Sequence, residues 1–440
     1  MKSICAVVLR LFFLMIVLFA CKEEPPVKPP PVEPDGTKNT IILSVEWTDL
    51  YRINLKWNKA EEDTLNTFHY DLIRKDEAGT EVTKVFYLFG ADTTYTDDND
   101  GDSLATGTNY SYRIKAYNDN NELKDTSLTV ITQTLSPTSH NISWQIDTLG
   151  QPGDFLYDVW GLDENNVWAI GYVDLPEGGS GIIKWNGTKW STFPTFAGIK
   201  QGIFGFDENN IFVVGEFGAY GVVGIWDGGV WNVRNFFYDP IANDTVWALR
   251  GIWGNAPNDV WAVGDQGTII HWDGIEWNKT NLGITTKITA IWGKSSNEIY
   301  LVPISGVRSS FYKFNGSEWN KIYDDIGIFS TTLWSALSGN LIIGGTSLLE
   351  YDGSSLQQVY IPGRTRGIVK VRGSNINNIF TAGDFGEITH FNGISWQDID
   401  DFEVPNGRYR ILYSVWSSQH KVFIVGVDEN RAITIIGTIN

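Results

Sequence analysis

Gly251–Trp277 reads G-I-W-G-N-A-P-N-D-V-W-A-V-G-D-Q-G-T-I-I-H-W-D-G-I-E-W, and its three landmarks recur through the last two thirds of the chain. The first is an aromatic followed by a small residue, Trp253-Gly254. Its copies are Trp160-Gly161, Phe204-Gly205, Trp292-Gly293, Trp334-Ser335, Arg372-Gly373 and Trp416-Ser417. The second is a short apolar run, usually closed by glycine, as in Val260 to Gly264. The third is an aromatic, then Asp or Asn, then Gly: Trp185-Asn186-Gly187, Trp226-Asp227-Gly228, Trp272-Asp273-Gly274, Phe314-Asn315-Gly316, Tyr351-Asp352-Gly353 and Phe391-Asn392-Gly393. A Trp stands three residues after that glycine at Trp190, Trp231, Trp277, Trp319 and Trp396. A period of roughly forty residues with about four strand-like stretches per unit is the pattern of propeller blades. Asn-Gly or Asp-Gly between two strands sets a tight hairpin, here between the third and fourth strands of a blade.

Seven units are counted. The last ends in Ile435-Ile436-Gly437 with no final Trp strand, whereas Ile142-Ser143-Trp144-Gln145 precedes the first unit without a blade of its own. That tetrapeptide repeats Ile394-Ser395-Trp396-Gln397 residue for residue. The reading is a seven-bladed β-propeller over residues 136–440, with residues 141–148 as the outer strand of the last blade. Such closure removes the exposed sheet edge that invites aggregation. Upstream, residues 38–135 alternate apolar and polar positions, as in Ile53-Asn54-Leu55-Lys56-Trp57 and Tyr110-Ser111-Tyr112-Arg113-Ile114. Period two with polar turns between predicts an antiparallel sandwich, so the fold class is all-β. The acidic run Asp97–Asp102 lacks the spacing of an EF-hand loop and reads as a solvated connection.

The chain has 440 residues, with 33 Lys and Arg against 52 Asp and Glu, a formal charge of −19 that argues against a nucleic-acid partner. Its two cysteines, Cys5 and Cys21, fall in the first 21 residues, so the folded part has neither disulfide nor thiolate metal site. Lys2 and Arg10 precede an apolar run from Leu11 to Ala20, the length of a signal-peptide core. Six prolines between residues 25 and 36 form an extended spacer.

Leu18-Phe19-Ala20-Cys21 resembles the bacterial lipobox, which implies cleavage of residues 1–20, a lipid on Cys21 and a tether over 21–37. Lys22-Glu23-Glu24 resembles the export signal of Bacteroidetes-type surface lipoproteins, implying an outer-membrane protein facing the exterior. Leu55-x-Trp57, Tyr70 and Tyr110-x-Tyr112 resemble a fibronectin type III domain, a spacer or adhesive module. The repeats resemble BNR/Asp-box propellers, a class that includes sialidase-like and lectin-like proteins. A Phe/Tyr-Arg-Ile-Pro motif, which a sialidase would carry, is missing.

One-per-repeat tryptophans read as blade core, His271 and His390 as structural, and Asp265 and Asp384 as turn formers. The residues that break the repeat carry more information. Gly363-Arg364-Thr365-Arg366 and Gly407-Arg408-Tyr409-Arg410 occupy equivalent connections into the sixth and seventh units, and Arg250 enters the third from a comparable one. Guanidinium forks suit carboxylates, so Arg364, Arg366, Arg408 and Arg410 are the candidate site for an acidic glycan. The competing reading pairs them internally with Asp400, Asp401 and Glu403, or leaves them simply solvated. No catalytic residue, metal site or cofactor is assigned. The sequence supports a monomeric surface protein that binds a carbohydrate or other extracellular polymer. A glycan-degrading enzyme and a scaffold for surface proteins are the alternatives.

Overall fold

A computed structural model describes residues 39–87, 92–236, 245–404 and 408–440. The signal, Cys21 and the tether lie outside the described residues, as does Gly407 of the second arginine motif. Apart from two short 3-10 turns, every regular element described is a strand.

The first body is a two-sheet sandwich. One sheet holds Leu43–Thr48, Ile53–Asn58 and Asp92–Asp97; the other holds Glu81–Tyr87, His69–Asp76, Asn109–Tyr117 and Leu123–Thr126, with Val130–Gln133 also paired to Asn109–Tyr117. Alternation turns Ile53, Leu55 and Trp57 inward to meet Tyr70, Leu72, Tyr112 and Ile114. The Tyr110 hydroxyl accepts the Ala105 N–H at 3.0 Å, pinning the chain just before its strand. The acidic run is only partly a solvated loop. Its first member, Asp97, is buried and accepts from Arg74 Nη1 at 2.8 Å and the Tyr112 hydroxyl at 2.7 Å.

From Ile142 onward the chain builds seven antiparallel four-stranded sheets, one of which carries an extra two-residue strand. In the third, Leu249–Ala256, Asp259–Gly264, Ile269–Trp272 and Trp277–Thr280 pair in chain order. The first strand of each sheet lies against the first strand of the next, and Arg410–Ser417 of the last lies against Phe155–Asp163 of the first. The circle is therefore closed. The last sheet takes its fourth strand from Ile142–Leu149, which pairs along Arg431–Ile439 with Trp144 opposite Gly437.

The aromatic–small landmark is the seam between sheets. A Cβ on Gly205 would come within 2.6 Å of Trp160, on Gly293 within 2.5 Å of Trp253, and on Gly373 within 2.7 Å of Trp334. Across the closure, one on Gly161 would meet Trp416 at 2.9 Å. At these four seams the large ring occupies the volume that the next sheet's small residue vacates, and between the second and third sheets Phe206 takes that place against Gly254, which is dense packing achieved by complementary sizes. Between sheets four and five, Trp292 Nε1 also donates to the Ser335 carbonyl at 2.9 Å.

The Asn/Asp-Gly landmark is a repeated turn. Asn315 Oδ1 accepts the N–H groups of Ser317 at 3.0 Å and Glu318 at 2.9 Å, and the other five copies bond likewise. The glycine adopts φ between 92° and 98° in all six, a region other residues avoid. None of the 19 tryptophans is largely exposed.

Candidate functional site

Antiparallel order sorts the connections onto two faces of the ring. On one face lie the entries to the first strands and the loops between second and third strands. On the other lie the remaining two turns of each sheet. The arginine motifs sit on the first face, called here the mouth.

Every first strand carries a β-bulge at the same height, falling at Tyr157, Gln201, Arg250, Thr289, Thr331, Val369 and Tyr413. A bulge leaves its extra residue outside the ladder and bends the strand, and it is a common way of aiming side chains. The bulged residue always stands three positions before the aromatic landmark, so the repeat alignment carries the signal for it. These positions are not alike. Sheets seven, one, two and three supply Tyr413, Tyr157, Gln201 and Arg250, whereas sheets four to six supply two threonines and a valine.

The rings of Tyr157 and Tyr413 meet at 5.3 Å across the sheet boundary, and Phe155 packs on Tyr157 at 4.7 Å. Burial, and then the hydrogen bond with Tyr409, raises the Tyr413 hydroxyl above the ordinary tyrosine range. Tyr172, Phe217, Phe385 and Tyr409 stand exposed around this cluster. The mouth is an aromatic surface concentrated on one side of the ring.

The four predicted arginines do reach this face, but each has a partner. Arg366 Nη2 binds Glu403 Oε2 at 3.0 Å, Arg408 Nε binds Glu429 Oε1 at 2.8 Å, and Arg410 Nη2 binds Asp428 Oδ2 at 2.7 Å. Arg364 Nη1 donates to the Arg366 carbonyl. Arg250 spans Asp265 at 2.7 Å and Glu216 at 3.0 Å. The internal partners are Glu403, Asp428 and Glu429, and no bond from Asp400 or Asp401 to these arginines is present. Asp265 is more than a turn former, since it anchors Arg250. Arg366, Arg408 and Arg410 are compensated by carboxylates and order the mouth's loops, whereas Arg364 is held by a backbone carbonyl alone.

Behind Arg364 lies a group of carboxyls. Burial pushes Glu387 up to about 8 against the opposing pull of Arg364, so its neutral form prevails at neutral pH. Asp384 is raised by burial, and Asp398 by burial and then by Glu403. Glu387 is 1% exposed and accepts from the Thr381 hydroxyl at 3.0 Å, which places it under the surface rather than on it. Both histidines are built into sheets: His390 stacks on Phe380 at 4.2 Å, and His271 stacks on Trp261 at 4.0 Å while bonding Asp259 at 2.8 Å.

Two positions before the aromatic landmark the residues line the central channel, and two of them are charged. Asp158 Oδ1 takes Lys370 Nζ at 3.1 Å and the Ser414 hydroxyl at 2.5 Å, while its Oδ2 takes the Ile203 N–H at 3.1 Å. Arg372, which replaces the aromatic of the sixth sheet, lies 4.7 Å over Trp292 and donates to the Leu333 carbonyl at 3.3 Å. Burial opposes the charge on Asp158, but Lys370 and then Arg372 outweigh it and hold the carboxyl below the usual range. Burial brings Lys370 down to about 8. A void of about 20 Å³ remains beside this cluster. That is room for about one water, so the charged cluster itself is closely packed.

Among the described residues no group of three or more His, Cys, Asp or Glu could hold a metal ion. No family model and no curated protein matches the chain. Among solved structures, one described as YCF48 bound to D1 peptide is similar over 69% of this chain and all of its own length, at 16% identity and TM-score 0.52. YCF48 from Cyanidioschyzon merolae (13% identity, TM-score 0.49) covers 68% of this chain and 98% of its own. Virginiamycin B lyase from Staphylococcus aureus (12% identity, TM-score 0.49) covers 68% of this chain and all of its own. These neighbours are β-propellers, and the likeness to the first identifies the fold from Ile142 onward as a propeller.

Proposed function

We propose that this protein is a non-catalytic binding propeller of seven blades, displayed outside the cell on a lipid at Cys21 with its fibronectin type III-like sandwich between anchor and ring. Its mouth recognises an extracellular polymer, in the first instance a carbohydrate. The observation that carries the reading is the one-sided aromatic surface of Phe155, Tyr157, Tyr172, Tyr409 and Tyr413. Aromatic faces bury large area at low entropic cost and stack on sugar rings. Because three of the four guanidiniums are paired with internal carboxylates, the favoured glycan is uncharged rather than a uronate or sialate. A glycan-degrading role would draw on Glu387, Asp384 and Asp398, but the one strongly neutralised acid is beneath the surface.

A second reading, a peptide or protein partner, is favoured by the pairing of tyrosines with ordered arginines, the composition of interface hot spots. The similar solved structure of YCF48 is described as bound to a D1 peptide, so a propeller of this fold can take a peptide. A polysaccharide and peptide array, probed with the full chain and with the Tyr172→Ala/Tyr409→Ala variant, tests both. Glycan binding lost in the variant supports the first reading, and peptide binding lost in the variant supports the second. Unchanged binding of either kind removes the mouth from consideration. Metabolic labelling with a palmitate analogue, absent in Cys21→Ser, tests the anchor.

A further inference from the structure

On the face opposite the mouth the segment that leaves the sandwich, residues 136–140, is fastened to the turns of the sixth sheet, and Arg52 of the sandwich donates to the Ser338 carbonyl of the fifth at 3.4 Å. The Thr138 N–H donates to the Asn392 carbonyl at 3.0 Å, its hydroxyl to the Asn377 carbonyl at 2.6 Å, and Asn377 Nδ2 returns to the Ser136 carbonyl at 2.6 Å. His140 and His390 meet through their Nδ1 atoms at 3.0 Å. Leu50 packs on Gly393, where a Cβ would come within 3.0 Å of it. Beside this fastened contact the two bodies stand apart and leave a groove. Its lobes measure about 490 and 370 Å³ and join at Trp334, Ala336 and Ser338. Each lobe is within the ordinary range of ligand pockets.

The sandwich departs from its own pattern to furnish this groove. Strand Leu43–Thr48 puts Leu43 and Val45 into its core, and strict alternation would send Trp47 there too. A bulge between Val45 and Trp47 breaks the register, so that Trp47 pairs opposite Asn54 and Thr48 opposite Ile53. Trp47 is thereby turned out of the sandwich core into the smaller lobe, with the Arg52 guanidinium 5.4 Å over its ring. The larger lobe presents Phe391 and Trp396 from the sixth sheet. Two groove-lining serines, Ser335 and Ser338, have buried hydroxyls with no hydrogen-bond partner.

The rim is acidic. Glu46, Asp98 and Glu350 line it, and its cation Arg52 is held by Asp49 at 2.7 Å. Anionic ligands are repelled there. Carboxylates and serine hydroxyls around aromatic faces suit a molecule with many hydroxyls and apolar ring faces. We infer that this groove binds a short run of a neutral saccharide chain, with Trp47 and Trp396 as stacking platforms and Asp98 and Glu350 accepting sugar hydroxyls. It is a second site, formed by both bodies and independent of the mouth, and it makes the sandwich half of a binding site rather than a spacer.

Calorimetry of the full chain with neutral tetrasaccharides of β-1,4-glucan, α-1,4-glucan, β-1,4-mannan and β-1,4-xylan tests this, with a uronate tetrasaccharide and a lysine-rich peptide alongside. At least one neutral chain binds, Trp47→Ala weakens it tenfold or more, Trp47→Phe restores most of the affinity, and Asp98→Asn/Glu350→Gln weakens it several-fold. In the Tyr172→Ala/Tyr409→Ala background, which removes any contribution of the mouth on the other face, the binding that depends on Trp47 remains, which separates this site from the mouth. Trp47 lies off the sandwich core, and an unchanged melting temperature for Trp47→Ala keeps the comparison valid; Asp98→Asn/Glu350→Gln gives a reading that does not depend on that variant. No binding by any neutral chain, binding indifferent to both sets of groove variants, or tighter binding of the uronate or the peptide would each overturn the inference.

Discussion

Replacing Asp158 by Ala tests whether the charged cluster in the channel is a stabilising unit. The carboxylate holds three donors, Lys370 Nζ, the Ser414 hydroxyl and the Ile203 N–H, and its loss leaves Lys370 and Arg372 enclosed together without an anion. Breaking a buried pair by removing one partner costs about 3–5 kcal/mol, because the surviving charge stays buried. At roughly 2–3 °C per kcal/mol for a ring of this size, the propeller melts on the order of 10 °C lower. Lys370→Met removes one of two cations beside a carboxylate that keeps Arg372, so it loses less. The double variant Asp158→Leu/Lys370→Met recovers most of the loss, since the pair leaves together. The acid side has a defined sign. Asp158 is held below its ordinary 3.8, so its contribution is complete above pH 3.8 and disappears as pH falls through its folded value. Lys370 behaves in the opposite sense to a stabilised cation. Its folded value of about 8 lies below 10.5, so the unfolded chain binds the extra proton between those values. Stability therefore rises with pH across that window, and Lys370→Met flattens the rise. Thermal melts of the single and double variants between pH 3 and 10 provide the check. A loss below about 1 kcal/mol for Asp158→Ala, or additive single variants, would refute the coupling argument.

Gly293→Val drives a side chain into Trp253, 2.5 Å from the ideal Cβ, and is expected to destabilise by about 1–3 kcal/mol, read by urea unfolding. Asn315→Ala frees the N–H groups of Ser317 and Glu318 and costs about 1 kcal/mol, as a lost cap does elsewhere; a matching loss from Asn186→Ala would show that the turns are equivalent. Trp144→Ala removes the ring that packs on Phe402 at 5.1 Å and covers Gly437 across the closure. The half-buried site is expected to lose about 2 kcal/mol and, by loosening the last sheet's outer strand, to increase concentration-dependent aggregation measured by light scattering.

What the sequence disclosed and what it withheld divide along one physical line. Periodic features are written locally. The aromatic and the small residue are adjacent because each serves a different seam, and Asn or Asp precedes Gly because one side chain caps two N–H groups while the next residue needs positive φ. The closure was legible for the same reason: Ile142–Gln145 copies Ile394–Gln397, and its place against Arg431–Ile439 follows from which strand lacked a neighbour. The arginine motifs were legible as a location, yet their electrostatics depended on Asp428 and Glu429, which lie some twenty residues on in the loop of another hairpin. Counting charges near them in sequence could not find those partners. Asp158 and Lys370 drew no attention in the sequence, being more than two hundred residues apart; only closing the ring makes them one ion pair. Trp47 was the least accessible of all, because alternation assigns it to the sandwich core and a single inserted residue in the ladder reverses that assignment. In a repeat protein the rule-keeping residues build the scaffold, and function is sought where a bulge or a substituted charge breaks the rule at some expense in stability.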